Sequence, residues 1–173
     1  MKVAVKDANI LIDLIESDLL GLWFKLGIQT YVSDLVQLEI IEDDQKRVFN
    51  SFVDAGLLII ARLSSDELNL AFEKREKHKI SIEDASALII AQRKSAILLS
   101  GDNRLRKTAE GEGVKVFGVI WVFDRLIEED LLTPQDAINK LRSLLEIGSF
   151  LPKAIREGRI HKWKTKASVL QTS

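Results

Sequence analysis

Residues 96–107 read AILLSGDNRLRK, a short aliphatic run, a Ser-Gly-Asp break and then a charged stretch that carries Leu105 on one side. Ala96 to Leu99 has the composition of a short buried strand, and Arg104 to Glu110 has helical periodicity, so Asp102 stands at the hand-over between the two. The chain begins in the same way: KVAVK at 2–6 is a strand, Asp7-Ala8-Asn9 a break, and ILIDLIE from Ile10 an apolar helix that runs on brokenly to Leu26. In open parallel sheets ligands bind outside the carboxyl ends of strands. Asp7 and Asp102 therefore emerge at the same edge of one sheet.

Outward from these two units the alternation continues. QTYVS at 29–33 is a strand, and Asp34 is the expected cap of a helix carrying Leu35, Val36, Leu38, Ile40 and Ile41. A helix over 44–55 ends at Gly56, and LLIIA at 57–61 is the next strand. A helix starts at Ser64-Ser65-Asp66-Glu67 and runs to the charged loop at 77–79; SIEDASALIIAQRK at 81–94 forms another. Val114 to Phe117 is a short last strand. The remainder is mostly helical, with Pro134 and Pro152 at helix starts, where a missing N–H does no harm. Strands alternating with helices predict an α/β fold, and the chain shows no internal repeat.

Two further acids sit in apolar surroundings. At about 100° per residue, Glu39 on a continuous helix projects between Leu35 and Val36, inward or toward a cleft. Asp84, one turn into its helix, shares an arc with Ala87, Leu88 and Ala91, small or apolar residues that let the helix lie close to a neighbour. Each acid has a plainer explanation: Asp7 and Asp102 as helix caps, Glu39 as a solvated helix residue, Asp84 as a first-turn acid that complements the helix dipole. Together they favour a shared divalent cation, because carboxylates near a core need a partner and one cation serves several of them.

Composition narrows the choice. With 173 residues, 46% of them hydrophobic, and a net charge of −1, the chain suits one compact domain with a sizeable core. It contains no Cys and two His, which excludes thiolate sites and leaves little for a histidine-rich zinc centre, so a metal would be held by oxygen. Nothing at the N-terminus reads as a signal peptide and no apolar run spans a bilayer, so a cytoplasmic protein without membrane contact is expected.

The segments DANILIDL from Asp7, SDLVQLEI at 33–40, EDASALIIA at 83–91 and LLSGDNRL at 98–105 resemble, in order and approximate spacing, the four acidic motifs of PIN-domain ribonucleases, the toxins of type II toxin–antitoxin modules. The likeness covers about 2–117. GVKVFGVIWVFDRLIEEDLL at 113–132, with the helices after it, resembles the tail of a PIN-like subgroup without an assigned function.

The resemblance implies a PIN-like three-layer α/β/α sandwich with a central parallel sheet, and an acidic pocket at its carboxyl edge that binds Mg²⁺ or Mn²⁺. It carries the family's acids onto Asp7, Glu39, Asp84 and Asp102 as catalytic metal ligands, with Asn9 and Ser100 as small polar supports. Ser100 is also an ordinary strand-end turn residue, and Thr is more frequent there in the family. The expected organisation is a PIN-like nuclease domain at 1–125 and a helical C-terminal extension with a basic tail at 126–173, part of the same compact unit. The activity implied is metal-dependent hydrolysis of RNA, with an antitoxin and a second copy in a homodimer as further partners.

Arg104, Arg106 and Lys107 beside the pocket can hold phosphates, although a charge run is also what a solvated helix face shows. The basic stretch 153–166 surrounds Trp163, which can stack on a base, or the segment can be a frayed tail or a docking site. Trp23, Phe24, Trp121 and Phe123 are read as core. Two alternatives remain: a haloacid-dehalogenase-like phosphatase, which normally has a second acid where this chain has Asn9, and a PIN module that binds RNA or protein without cutting.

Overall fold

The computed structural model describes residues 2–5, 8–146 and 151–171. Within them one parallel sheet is built from β1 (Lys2–Val5), β2 (Gln29–Ser33), β3 (Leu58–Ala61), β4 (Ile97–Leu99) and β5 (Val116–Phe117), in the order β3-β2-β1-β4-β5. The helices between and after them are α1 (Ala8–Glu16), α2 (Leu20–Lys25), α3 (Asp34–Gln37), α4 (Asp43–Asp54), α5 (Ser65–His78), α6 (Ile82–Lys94), α7 (Asn103–Gly111), α8 (Val119–Glu128), α9 (Pro134–Glu146) and α10 (Lys153–Gln171). The expected three-layer α/β/α arrangement is what the chain adopts.

Successive strand residues point to opposite faces, and the two cores follow from that. Val32 and Leu99 join a large cluster with Leu11, Leu14, Trp23, Phe49, Phe123, Leu126 and Leu141 on one face, while their neighbours Tyr31 and Leu98 join Ala71, Leu88, Ile90, Leu105 and Ala109 on the other. Every residue from Asp84 to Ala91 of α6 is buried. Its Ala85, Ser86, Ala87 and Ala91 let it lie close against β1, β2 and α5.

Hydroxyl caps start both long helices of this layer. Ser64 and Ser81 each form a capping box, with Glu67 and Asp84 respectively, and Lys79 (φ 54°) and Ser95 (φ 51°) end them in the left-handed region. Glu112 then joins the layer together. Its carboxylate is 2.5 Å from Lys74 Nζ on α5, accepts from Gln92 Nε2 on α6 at 2.8 Å, and lies 3.4 Å from His78 Nε2. Burial works against its charge, but hydrogen bonds from Lys74 and Gln92, with attraction from Lys74 and His78, outweigh that and hold the carboxyl below its ordinary value.

The C-terminal segment forms the helix α10, and Trp163 is not available to stack on a base. Trp163 is 2% exposed, packs against Phe123 with ring centroids 5.5 Å apart, and donates from Nε1 to Asp124 at 2.9 Å. Arg159 reaches the same carboxylate at 2.8 Å. A large amphipathic ring found its apolar contact inside, where it removes more area from water than an exposed stack would. Helices α9 and α10 thereby share the larger core with the sheet. Among the described residues no helix is long and apolar enough to cross a membrane.

Two outcomes follow. Trp163→Ala lowers the unfolding free energy by about 3–5 kcal/mol in urea titration, the usual range for deleting a buried aromatic; a loss under about 1 kcal/mol would mean that α10 is not part of the cooperative unit. Because Glu112 has a depressed pKa when folded, its contribution is present above the unfolded value of 4.5 and is lost as pH falls through the folded value. Stability measured across that acid range drops for the wild type and drops less for Glu112→Gln; parallel curves would show that the carboxylate is not held as described.

Candidate active site at the carboxyl edge of the sheet

β1 lies between β2 and β4, with Val5 opposite Val32 on one side and Leu99 on the other. One residue further on, Ser33 and Ser100 stand at the same level on either side of the end of β1, 1% and 0% exposed. At a strand end the backbone loses its ladder partners, and these two hydroxyls take up groups from the turns that follow.

Ser100 N–H donates to the Phe117 carbonyl at 2.8 Å, and its Oγ accepts from Asp102 N–H at 3.0 Å. Asp102 is the N-cap of α7: its backbone is extended and its Oδ1 accepts from Leu105 N–H at 2.7 Å. The expected support of Asp102 by Ser100 thus takes a definite form, through the backbone N–H. The carboxylate is half-buried, and the N-terminus of α7 favours its charge.

Asp84 occupies the third position of α6, and its Oδ2 accepts from Ser81 N–H at 3.2 Å while its own N–H donates to Ser81 Oγ at 3.0 Å. It is 6% exposed. Two residues on, the Ser86 hydroxyl lies 2.9 Å from that of Ser33 and 2.7 Å from the Glu83 carbonyl. Ser33 also accepts from Leu35 N–H at 3.2 Å. A buried pair of hydroxyls therefore fixes the start of α6 against the end of β2 and caps α3 at the same time. The cap of α3 is Ser33, not Asp34 as expected from the sequence; Asp34 is the first helical residue, its Oδ1 3.1 Å from the same N–H. Ser86 reads in the sequence as one more small residue on a packed helix, and only its partner across the layer reveals its use.

Glu39 departs from expectation in position. The helix stops after one turn at Gln37, and the N–H groups of Glu39 and Ile40 bond three residues back, to Val36 and Gln37. This tight exit buries Val36 and Ile40 in the larger core and leaves Leu38, Glu39 and Ile41 exposed. Glu39 thus sits on a turn that follows the Ser33 cap and faces solvent, rather than inward from a continuous helix. Asp7 lies outside the described residues. Asn9 is the second residue of α1, and its side chain lies outside them too.

The three basic residues after Asp102 divide their roles. Arg106 Nη1 donates to the Val116 carbonyl at 2.5 Å and lies 3.7 Å from Glu110, fastening α7 to β5. Arg104 donates to the Lys79 carbonyl at 2.8 Å, and Lys107 is exposed on the outer side of the helix.

The structure therefore brings Asp84, Ser100 and Asp102 to one edge, with Glu39 on a neighbouring turn. Among the described residues no group of three or more acidic or histidine side chains is close enough to hold a metal ion. The donor chemistry at this edge is that of a hard cation: carboxylate and hydroxyl oxygens, no sulfur, and both His elsewhere, His78 against Glu112 and His161 on α10.

A family profile described as a PIN domain (DUF3368) matches residues 3–165, and the chain belongs to that family. No protein of curated function matches it in sequence. Among solved structures it is similar to PAE2754 from Pyrobaculum aerophilum, at 15% identity over 74% of this chain and 99% of that one, with a TM-score of 0.52. It is also similar to a chain of a toxin–antitoxin complex from Klebsiella pneumoniae, at 23% identity over 60% of this chain and 89% of that one, TM-score 0.46. FitAcB from Neisseria gonorrhoeae is 15% identical over 68% of this chain and 96% of that one, TM-score 0.42. Membership of the PIN family sets aside the dehalogenase-like alternative.

Proposed function

We propose that this PIN domain is a metal-dependent endoribonuclease that hydrolyses RNA phosphodiester bonds, and that it acts as the toxin of a toxin–antitoxin pair. The observation that supports the reading is that Asp84 and Asp102 are each held at a helix N-terminus, Asp102 just after β4 and Asp84 at the start of α6, which the Ser33–Ser86 contact fixes to the end of β2. The toxin assignment, with a protein antitoxin and a homodimer as partners, rests on the sequence resemblance.

Asp7, Glu39, Asp84 and Asp102 would hold Mg²⁺ or Mn²⁺ in this reading. When bound, such an ion acidifies water and neutralises charge that develops on phosphoryl oxygens. The chain's own residues have separate tasks. Ser100 fixes the backbone of Asp102, and the cap bond from Leu105 N–H fixes its carboxylate. The capping box holds Asp84 over the sheet edge, where burial limits its choice of rotamer. Lys107 and Arg104 offer cations to flanking phosphates, while Arg106 keeps α7 against β5. In this scheme the nuclease unit is 1–125, and 126–173 is a helical extension built onto it.

A panel of single-stranded and folded RNAs, incubated with Mg²⁺ or Mn²⁺, tests the reading. Wild type cleaves, and cleavage stops with chelator. Asp102→Asn and Asp84→Asn each lower the rate by about a hundredfold or more, with Asp102→Asn the cleaner variant because Asn also serves as an N-cap. Removing carboxylate repulsion by metal also raises the thermal midpoint of the wild type more than that of either variant. Metal-independent cleavage, or full activity in both variants, would overturn the assignment.

A further inference from the structure

Residues 38–44 read LEIIEDD, three aliphatic side chains and four acids without a cation. The tight exit from α3 decides which of them face out. Ile40 is buried in the larger core, whereas Leu38 is 76% and Ile41 69% exposed, the two most exposed large apolar side chains among the described residues. The backbone bonds from Glu39 and Ile40 N–H to Val36 and Gln37 hold the turn in this form, so the pair is presented and not merely loose. Between the turn and α4 lies a cavity of about 340 Å³, walled by Leu38, Ile40, Ile41 and Phe49, with Lys46 and Asn50 in its polar lining. An apolar opening framed by exposed aliphatic side chains is what a docking surface leaves when its partner is absent. Glu39, Glu42, Asp43 and Asp44 outnumber Lys46 and Arg47 around it, so the complementary occupant carries an apolar anchor with cations beside it.

The chain itself has such a surface. Ile155, 52% exposed, is the one exposed large apolar side chain in the basic segment between Lys153 and Lys166, which holds six Lys and Arg against one Glu. At about 100° per residue, Lys162 and Lys166 lie within about 20° of Ile155 around α10, on a flank about 17 Å long. Trp163 is turned from this flank into the core, and Arg159 beside it is taken by Asp124. These two anchors keep α10 in place, so little ordering is lost when its flank meets a partner. Lys162 and Lys166 enter no ion pair among the described residues, and neither do Glu42 and Asp43.

We propose that two copies of the chain pair through these surfaces: Ile155 of each seats in the cavity beside Leu38 and Ile41 of the other, with Lys162 and Lys166 set against the acids of 39–44. A helix that lays an apolar side chain into a groove is a common mode of recognition, and two-fold symmetry makes both contacts of the pair equivalent. The inference rests on the homodimer of the proposed function for its stoichiometry and supplies the surfaces. Pairing is measured without RNA or metal, so its failure leaves the nuclease reading standing, and failure of cleavage leaves the pairing standing.

Sedimentation velocity over a protein concentration series tests the proposal. The wild type passes from monomer to dimer as concentration rises, and the dimer weakens as KCl is added. Leu38→Ser with Ile41→Ser, and separately Ile155→Ser, each raise the dissociation constant by about tenfold or more. All three side chains are more than half exposed, so the thermal midpoint of these variants stays near that of the wild type.

Charge reversal identifies the two surfaces as partners. Glu42→Lys with Asp43→Lys, and Lys162→Glu with Lys166→Glu, each prevent pairing alone and pair with one another when mixed in equal amounts, because both contacts then join opposite charges again. A wild type that stays monomeric throughout overturns the proposal and leaves the cavity to a partner of different sequence. A dimer that none of the variants weakens overturns it and places the interface elsewhere. Reversed variants that remain monomeric on mixing overturn the match between α10 and the turn.

Discussion

In a sheet whose strands all run one way, every strand delivers its last backbone groups to the same edge, and those groups must find partners before the chain can turn away. Here two buried hydroxyls do this on either side of β1. Ser100 takes the N–H of Asp102, and Ser33 takes that of Leu35 while meeting Ser86 from the helix above. The consequences spread from these bonds. The Ser33–Ser86 contact sets where α6 begins over β2, and so where Asp84 lies; the Ser100 contact sets the entry angle of α7, and so where the Asp102 carboxylate lies.

The same geometry makes acids tolerable there. A carboxylate in the first turn of a helix meets N–H groups without intrahelical partners and the positive end of the dipole. Asp84 and Asp102 each accept one such bond, so much of the cost of placing charge beside a core is met by the helices themselves. The capping explanation of these residues and the metal-ligand explanation are consequently not rivals. A cap holds a carboxylate through one oxygen and orients the group, and an oriented carboxylate is what a cation site needs.

The alternation of aliphatic runs with helical periods carried the strand sequence, both long capped helices and the place of Asp102 just beyond a strand end, because strand ends and hydroxyl caps are local events written in adjacent residues. The failures concern partners distant in sequence. Glu39 was expected on a continuous helix because Leu35 to Ile41 has helical spacing, yet the helix ends after one turn at Gln37 and a tight turn with bonds three residues back follows it. The Ser33–Ser86 pair joins residues 53 apart, and no local pattern announces it. Trp163 read as a surface aromatic because basic residues flank it, but Asp124, 39 residues earlier, offered its indole N–H a partner beside an apolar ring.

That last contact also explains how a strongly basic helix can belong to an acidic body. Asp124 is contributed by α8, a helix whose Val119, Val122, Phe123 and Leu126 are buried in the core, so its carboxylate is held in place by the packing of its neighbours. It takes Arg159 and Trp163 together, which joins electrostatic attraction to burial of the largest side chain on α10. With the helix secured from beneath, Lys162, Lys164 and Lys166 are exposed, Lys162 and Lys166 along one flank and Lys164 on the other. The charge separation between α10 and the rest of the chain is therefore a product of packing: Asp124 of α8 anchors the helix through Arg159 and Trp163, and the lysines beyond them are exposed.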